Sequence, residues 1–297
     1  MKHIEKILVP VDFSSGCINA FNLALSLAKK KGSKICILHI VSEPQIIDPL
    51  YVSDFYSNVR FEDVRNEIED EIKKIYIIGN EEVDIELRVS KGFPVSGITE
   101  LSKEIKADLI VMATHARTGL SHAVIGSVSE KVLRTSTCPV MTVKLSHEIK
   151  PDKYDIKKIL VPVDFSEHSE KAFELAVDFV NLFNAKAYIV NVIQPISFYP
   201  YYYNDFYSKE GILKRMEEET KSRLDSLIKE KGKGIKDITY EVRIGDPYHE
   251  ILEKEKSIKA DLIIMGTHGR KGVSHLLLGS VAERLIRLAE CPVLTVK

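Results

Sequence analysis

The sequence Ile159-Leu-Val-Pro-Val-Asp-Phe-Ser166 occurs without change at residues 7–14, 152 positions earlier. Each copy is an apolar, largely β-branched run that ends at an aspartate, a pattern typical of a buried strand. Further along the chain, Ala107-Asp-Leu-Ile recurs as Ala260-Asp-Leu-Ile at an offset of 153. An offset that stays almost constant over so long a stretch indicates a duplicated domain and not a short solenoid repeat.

The chain has 297 residues, enough for two domains that each bury a core. The boundary between the domains falls in the polar stretch 146–154, which contains Pro151. We therefore expect one domain over residues 1–148 and a second over residues 153–297.

The composition is that of a globular protein, with 44% hydrophobic and 29% charged residues. The formal net charge of −1 gives no basic field that would attract nucleic acid. No run approaches the roughly 18 apolar residues of a membrane helix. The four cysteines form no C-x-x-C pair, which argues against a disulfide or metal framework. Because the first apolar run is too short for a signal peptide, the expected location is cytoplasmic.

Apolar runs alternate with amphipathic stretches in the same order in both halves. Strands that alternate with helices predict a parallel sheet covered on both faces, with right-handed crossovers. The expected class is α/β, with two tandem five-stranded domains. In the second half the predicted strands are 158–163, 187–192, 238–243, 262–265 and 293–296, and the predicted helices are 169–183, 210–231, 248–258 and 280–288.

Ligands of such sheets bind beyond the carboxyl ends of the strands. Asp12 and Asp164 follow the first strand of each repeat, and the loops that begin at Ala113 and Gly266 follow the fourth. The functional site of each repeat is therefore expected at this edge of the sheet.

The fourth-strand loop of the second repeat contains Gly266, Gly269 and Gly279, and Ser280 follows the last of them. Backbone N–H groups can hold a phosphate where the chain approaches closely, sometimes with positive φ, and glycine permits both. The helix that opens at Gly279-Ser280 adds free N–H groups and a dipole that favours an anion. The loop therefore predicts a phosphate site.

Two alternative roles remain for each of two polar residues at this edge of the sheet, Ser280 and Asp164. Ser280 and Glu283 match the S-x-x-E capping box, as do Ser127 and Glu130 in the first repeat. Ser280 is then either a helix cap alone or a cap whose neighbouring N–H groups also serve a ligand. Asp164 either accepts a hydrogen bond from a ribose hydroxyl or caps the helix that follows.

Val-Pro-Val-Asp-Phe-Ser after the first strand, with G-x2-G-x9-G-[ST] after the fourth, resembles the universal stress protein family in its tandem form. The resemblance covers almost the whole chain. It implies a five-stranded, Rossmann-like α/β sandwich of the adenine-nucleotide α-hydrolase-like (HUP) type in each repeat. For one subgroup of the family, it also implies a bound ATP or related adenine nucleotide.

The second repeat matches every position of the family motif. The resemblance implies that adenine and ribose contact the residues after the first two strands, and that phosphates contact the glycine loop. Arg270 is either a further phosphate ligand or an exposed loop cation. The set implied by the resemblance is Pro162, Val163, Asp164, Val192, Met265, Gly266, His268, Gly269, Gly279, Ser280 and Val281, and Arg270 is added as a candidate because of its charge.

The first repeat departs from the motif at Ala113 and Ala116, which stand where the first two glycines are expected. An alanine Cβ at a point of closest approach would intrude on phosphates, and a positive φ there would cost about 1 kcal/mol or more. We therefore expect weaker or absent nucleotide binding in this repeat. The corresponding set is Asp12, Ile40, Met112, His115, Gly126 and Ser127.

The sequence argues against two other kinds of site, a metal site and an ATP-hydrolysing site. His115 and His122 lie seven apart, as do His268 and His275, but no acidic or cysteine partner has useful spacing, so no metal site is expected. A Walker A sequence, an acidic pair for magnesium and a PP-loop are all missing from the sequence. We expect a protein that is not an enzyme, with weak ATP hydrolysis as an alternative.

An aromatic segment, 198–207, follows the second strand of the second repeat, and 48–56 is its partner in the first. Three roles are open for it: a lid over the nucleotide, a surface for a protein partner, or packing against the protein's own helices. The last strand of each repeat is expected at a sheet edge, where unpaired backbone groups invite pairing. The family commonly dimerises through this strand, which implies an internal pseudo-dimer of the two repeats. A homodimer of whole chains stays open.

The expected function is the binding of an adenine nucleotide (ATP, ADP or AMP), with Mg²⁺ as an optional companion, in stress response or regulation. A protein partner would read the bound state. The alternative is a ligand-independent interaction scaffold. The sequence leaves open which stress, which partner, which nucleotide state and which oligomeric state apply.

Overall fold

The computed structural model of the protein describes residues 4–42, 61–114, 125–144, 149–150, 154–194, 209–269 and 278–297. The chain divides into two compact units, Met1–Tyr154 and Asp155–Lys297. Each unit has five parallel strands connected by helices. The predicted fold class of two tandem α/β domains is therefore confirmed.

In the first unit, strands and helices alternate along the chain. Its strands are β1 (Lys6–Val11), β2 (Lys34–Ser42), β3 (Ile85–Gly92), β4 (Leu109–Ala113) and β5 (Val140–Val143). Its helices are α1 (Ser15–Lys31), α2 (Phe61–Ile72), α3 (Pro94–Glu104) and α4 (Ser127–Thr135), and a π-helical turn, Lys73–Ile77, extends α2. The strand order is β3-β2-β1-β4-β5.

The second unit repeats this arrangement without a π-helical turn in its described residues. Its strands are β6 (Lys158–Pro162), β7 (Lys186–Ile193), β8 (Ile238–Ile244), β9 (Leu262–Gly266) and β10 (Val293–Val296). Its helices are α5 (Glu167–Phe183), α6 (Lys209–Lys231), α7 (Pro247–Ile258) and α8 (Ser280–Leu288). The strand order is β8-β7-β6-β9-β10.

The middle of the core is formed by β1 and β4 in the first unit and by β6 and β9 in the second. Their side chains are buried on both faces, which explains why they read as continuous apolar runs and not as alternating patterns. Fully buried examples are Ile7, Leu8 and Val9 in β1 and Leu262, Ile263 and Ile264 in β9.

The ends of several helices follow from local sequence. Gly32 ends α1 in the left-handed region, with φ 68°, and its N–H donates to the Ala28 carbonyl. Asn184 ends α5 in the same conformation. Pro247 begins α7 directly after Asp246, whose side chain accepts from the Tyr248 N–H at 3.2 Å. Gly32 and Asn184 thus connect a helix to the strand that follows it, and Asp246 connects the carboxyl end of β8 to α7.

Two further sequence predictions concern membrane helices and the aromatic segments. Of the helices in the described ranges, none is both long enough and apolar enough to cross a membrane. The aromatic segments 48–56 and 198–207 lie outside the described residues, and their three proposed roles stay predictions.

Candidate functional site

The turn after β6 holds the Asp164 carboxyl group with two hydrogen bonds. Its Oδ1 atom accepts from the Ser166 N–H at 3.0 Å and from the Ser166 hydroxyl at 2.6 Å. The Ser166 Oγ atom also accepts from the Ser169 N–H at 3.3 Å and so caps α5. Helix capping therefore belongs to Ser166, and Asp164 orients the capping hydroxyl.

The residue after this aspartate is strained in both repeats. Phe165 has φ 60° and Phe13 has φ 64°, in the left-handed region that a bulky residue rarely enters. Each ring has a partner: the Arg223 guanidinium lies 4.0 Å from the Phe165 ring centroid, and the His39 ring lies 4.9 Å from that of Phe13. Strain of this kind costs about 1–3 kcal/mol and is concentrated at functional sites.

Gly269 approaches Asp164 from the fourth-strand loop. A Cβ atom at residue 269 would lie 2.6 Å from the Asp164 Oδ2 atom, far inside van der Waals contact. The Oδ1 atom of the same carboxyl group is held by Ser166, so the Oδ2 atom faces the loop. The structure thus brings together two residues that the motif places far apart in sequence.

The other two glycines of the loop are required by protein packing. A Cβ at Gly266 would lie 2.7–2.9 Å from the carbonyl carbon, carbonyl oxygen and Cβ of His168 at the start of α5. A Cβ at Gly279 would lie 2.9 Å from the Thr267 carbonyl oxygen. Neither these two glycines nor Gly269 has a positive φ. Of the two reasons expected for glycine at these positions, positive φ is not observed, whereas close approach is, and the approaching atoms belong to the protein itself.

Backbone hydrogen bonds close the base of the loop. The Gly279 N–H donates to the Thr267 carbonyl at 2.8 Å, and the Thr267 N–H donates to Val296 of β10 at 2.9 Å. The Thr267 hydroxyl lies 3.0 Å from His268 Nδ1, and the His268 carbonyl oxygen lies 3.3 Å from Ser166 Oγ. The first and last residues of the loop are therefore held next to each other and next to the Asp164 turn.

The start of α8 differs from the predicted capping box. Gly279 is the N-cap, with φ −62° and ψ 143°, and Ser280 is the first helical residue. Because the Gly279 N–H is already bonded to Thr267, the Glu283 side chain has no N-cap donor to reach and lies 3.8 Å from Arg287 instead. The box prediction for Ser280 and Glu283 is therefore wrong.

The same correction applies to the first repeat. Gly126 is the N-cap of α4, with φ −63° and ψ 145°, and Ser127 is its first residue. Glu130 pairs with Arg134 at 2.6 Å. Since no side chain caps either helix, the N–H groups of the first turns of α4 and α8 point beyond the sheet edge without an intrahelical acceptor. This is the arrangement that favours an anion.

The remaining predicted site residues of the second repeat differ in how deeply they are buried. Pro162, Val192 and Val281 are half-buried, and Val163 and Met265 are buried at the strand ends. Asn191 of β7 donates its side-chain N–H to the Val163 carbonyl at 2.7 Å. This bond holds the second strand against the turn that carries Asp164. Arg270, like His275, lies outside the described residues.

The first repeat keeps the backbone frame of the site. The Gly126 N–H donates to the Thr114 carbonyl at 2.7 Å, and the Thr114 N–H donates to Val143 at 2.9 Å. Ile40 is half-buried, Met112 is buried and Ser127 is exposed. His115, Ala116 and His122 lie outside the described residues.

The side chains around Asp12 differ from those around Asp164. Asp12 Oδ1 accepts from the Ser14 N–H at 3.0 Å and from the Cys17 thiol at 3.1 Å. Burial, followed by the nearby Asp12 carboxylate, raises the pKa of Cys17 to about 12. The thiol is therefore a neutral donor at physiological pH and not a nucleophile. His39 replaces Asn191, with its Nδ1 atom 2.8 Å from the Val11 carbonyl.

Sequence reasoning missed three residues that shape the site. Ser166 connects the helix cap to Asp164, His168 packs on Gly266, and Asn191 fixes the Val163 carbonyl. A signal existed for Asn191 and its counterpart His39, because each is a polar residue inside an otherwise apolar strand at the repeat offset. The described residues contain no group of three or more His, Cys, Asp or Glu side chains placed to hold a metal ion.

Comparison with known proteins agrees with this arrangement. A model of the universal stress protein family matches residues 3–144 and, separately, residues 155–297. The chain belongs to the universal stress protein family. Both repeats are therefore universal stress protein domains, and the family resemblance and the tandem form seen in the sequence are confirmed.

Relatives and solved structures show the extent of the similarity. Universal stress protein MJ0531 of Methanocaldococcus jannaschii is 39% identical over 142 residues, which are 48% of this chain and 82% of that protein. MJ0577 of the same organism is 34% identical over 156 residues, covering 48% of this chain and 94% of its own. The crystal structure of a universal stress protein from Archaeoglobus fulgidus DSM 4304 covers 98% of both chains, with 25% identity and a TM-score of 0.66.

Proposed function

We propose that this universal stress protein binds an adenine nucleotide in the stress response, and that its second repeat holds most of the nucleotide. The contact between Gly269 and the Asp164 Oδ2 atom carries the proposal. A carboxylate at the carboxyl edge of a parallel sheet is suited to accept a hydrogen bond from a ribose hydroxyl. The turn at Ser166 keeps that carboxylate in one orientation, which lowers the entropy lost on binding.

Phosphate groups would extend from the ribose toward the first turn of α8. The bond between Gly279 and Thr267 keeps this turn beside the loop that reaches Asp164. The free N–H groups of Ser280, Val281 and Ala282 and the positive end of the helix stabilise negative charge there. A bound nucleotide supplies the charged group that this helix end neutralises, and a magnesium ion would enter together with the phosphates.

We propose binding and not dedicated turnover. Phosphoryl transfer needs a group that orients the attacking water and a group that stabilises the developing charge. The two nearby acids have other contacts, since Asp164 Oδ1 is bonded to Ser166 and Glu283 lies beside Arg287. In this proposal a partner protein reads the bound and unbound states.

A ligand-independent scaffold is the alternative, and one glycine separates the two functions. Gly266 does not discriminate, because packing against His168 requires a glycine whether or not a nucleotide binds. Gly269 does discriminate, because the neighbour that a Cβ there would meet among the described residues is the end of the Asp164 side chain, which a larger residue could displace. Retention of glycine at 269 therefore favours the binding function.

Native mass spectrometry of the purified chain tests the proposal first, and one adenine nucleotide per chain is expected. Calorimetric titration with ATP, ADP and AMP, each with and without Mg²⁺, should then show one site per chain. The duplication offers a matched pair of variants: Asp164→Ala should weaken binding at least tenfold, and Asp12→Ala should leave it within twofold. Two equivalent sites, or equal effects of the two variants, would contradict the assignment to the second repeat.

A further inference from the structure

His168 lies at the second position of α5, directly against the end of β9. A Cβ at Gly266 would meet three atoms of His168 at 2.7–2.9 Å, so the helix start is in contact with the Gly266 Cα. Gly266 is the last residue of β9, and Thr267 and His268 follow it. The position of α5 therefore sets where the loop leaves the sheet.

The His168 side chain extends this contact into the loop. Its ring centroid lies 5.2 Å from the ring centroid of His268, with 47° between the ring planes, a spacing typical of packed aromatic pairs. The His268 ring also has its Nδ1 atom 3.0 Å from the Thr267 hydroxyl. The Nε2 atom of His268 is buried and has no hydrogen-bond partner among the described residues. Two contacts thus fix the orientation of the His268 ring.

In the first repeat, the helix residue of the His168–Gly266 pair is small and the strand residue is the larger of the two. At the repeat offsets, Gly16 corresponds to His168, and Ala113 corresponds to Gly266. The helix residue therefore loses its ring where the strand residue gains a methyl group. The loop base is nevertheless the same in both repeats, since the Gly126–Thr114 and Gly279–Thr267 bonds measure 2.7 and 2.8 Å. The loop base is therefore shared, and the exchanged pair is a difference between the two sites in addition to those at Cys17 and His39.

We infer that His168 is a positioning residue of the nucleotide site in the second repeat. Its ring holds His268, and through His268 it holds the start of the loop, residues 266–269, in the place that receives phosphates. Gly16, at the corresponding position of the first repeat, has no ring that could act in this way. The inference rests on the proposed nucleotide-binding function, and it concerns a residue outside the motif that identified the site.

Titration of the full chain with ATP tests the inference by comparing two variants, one that removes the ring at residue 168 and one that retains a ring there. His168→Ala should weaken ATP binding at least fivefold with unchanged stoichiometry, because the loop loses one of its two contacts. His168→Phe keeps an aromatic ring at the same place and should restore affinity to within twofold of wild type. His249→Ala removes an exposed histidine of α7 and serves as the control with unchanged affinity.

Nuclear magnetic resonance of the His268 ring protons, without nucleotide, measures the ring contact itself. Their shifts should move in His168→Ala and stay near wild type in His249→Ala, and thermal melting verifies that each variant is folded. Equal ATP affinity of wild type and His168→Ala, or a His168→Phe variant as weak as His168→Ala, would overturn the inference alone. If wild type binds no ATP, the proposed function fails, and the inference fails with it.

Discussion

The Asp164 Oδ2 atom occupies the space that a side chain on Gly269 would need, with only 2.6 Å to the Cβ position. The atom belongs to the end of a side chain whose other oxygen, Oδ1, is bonded to Ser166, so the carboxyl group can give way by a small rotation without a shift of the backbone. At Gly266, by contrast, the opposing atoms are the carbonyl carbon, carbonyl oxygen and Cβ of His168, which no side-chain rotation can move away. Two glycines of one motif should therefore respond differently to the same substitution.

Gly269→Ala should reduce nucleotide affinity with little effect on folding. The new methyl group would displace the Asp164 carboxyl group, which weakens its hydrogen bond to a ribose hydroxyl by about 1–2 kcal/mol, or roughly tenfold in Kd. The free energy of unfolding should change by less than about 1 kcal/mol. Calorimetric titration and denaturant unfolding of the same samples measure both quantities. Unchanged affinity would show that Asp164 does not contact the ligand.

Gly266→Ala should reduce stability, by about 1–3 kcal/mol, because α5 must move away from β9. The double variant His168→Gly/Gly266→Ala reproduces the Gly16 and Ala113 pair of the first repeat. It should recover part of the loss, with a coupling energy of about 0.5–3 kcal/mol in a double-mutant cycle. Urea unfolding of the four proteins gives this energy, and strictly additive losses would show that the two residues do not share a contact.

The fold was predictable because the spacing of hydrophobic residues along the chain follows which side chains are buried. The predicted helix 248–258 is observed as Pro247–Ile258, and the predicted strand 158–163 is observed as Lys158–Pro162. The helix predicted at 169–183 begins two residues earlier, at Glu167, because Ser166 provides the cap. Local patterns therefore determine which elements form, and side-chain caps adjust their ends.

The roles of single residues at the site were less predictable, because they depend on atoms from distant parts of the chain. Nothing near Gly266 in sequence indicates that the backbone of His168 will lie beside it. The capping box at Ser280 failed for a similar reason, since Thr267 had already bonded the N-cap N–H. Sequence spacing predicted a site at the carboxyl edge of the sheet, and tertiary contacts decided which atoms each glycine must avoid.

Tyr76→Phe should leave the protein as stable as wild type or stabilise it by up to about 1 kcal/mol. Tyr76 lies in the π-helical turn after α2, is 1% exposed, and packs edge-on against Phe21 at 5.0 Å between ring centroids. Its hydroxyl is buried without a hydrogen-bond partner among the described residues, so removing it relieves a desolvation cost. Thermal and urea unfolding measure the change, and Phe21→Leu, which disrupts the ring contact, is the destabilising control. A loss above about 1 kcal/mol in Tyr76→Phe would mean that the hydroxyl has a partner.

Glu255 should make the stability of the second unit depend on pH. The side chain is 2% exposed in α7, and its Oε1 atom accepts from the N–H groups of Glu290 at 2.5 Å and Cys291 at 2.9 Å. Burial raises the pKa of this carboxyl group above its usual value near 4.5, and the hydrogen bonds from the Glu290–Cys291 turn oppose the shift only in part. The folded protein therefore retains a proton at a pH where the unfolded chain has lost it.

The sign of the effect follows from this difference in proton binding. Stability from Glu255 is fully present below the unfolded pKa and is lost as pH rises through the raised folded pKa. Glu255→Gln keeps an oxygen acceptor for the turn but does not titrate, so its stability relative to wild type should increase as pH rises from about 4.5 to 7.

Glu253→Gln removes an exposed carboxylate of the same helix and should follow the wild-type curve. Glu255→Ala leaves both N–H groups without an acceptor and should lose about 1–3 kcal/mol for each at every pH. Urea unfolding across this pH range measures all four proteins, and parallel curves for wild type and Glu255→Gln would show that Glu255 does not titrate in the folded state.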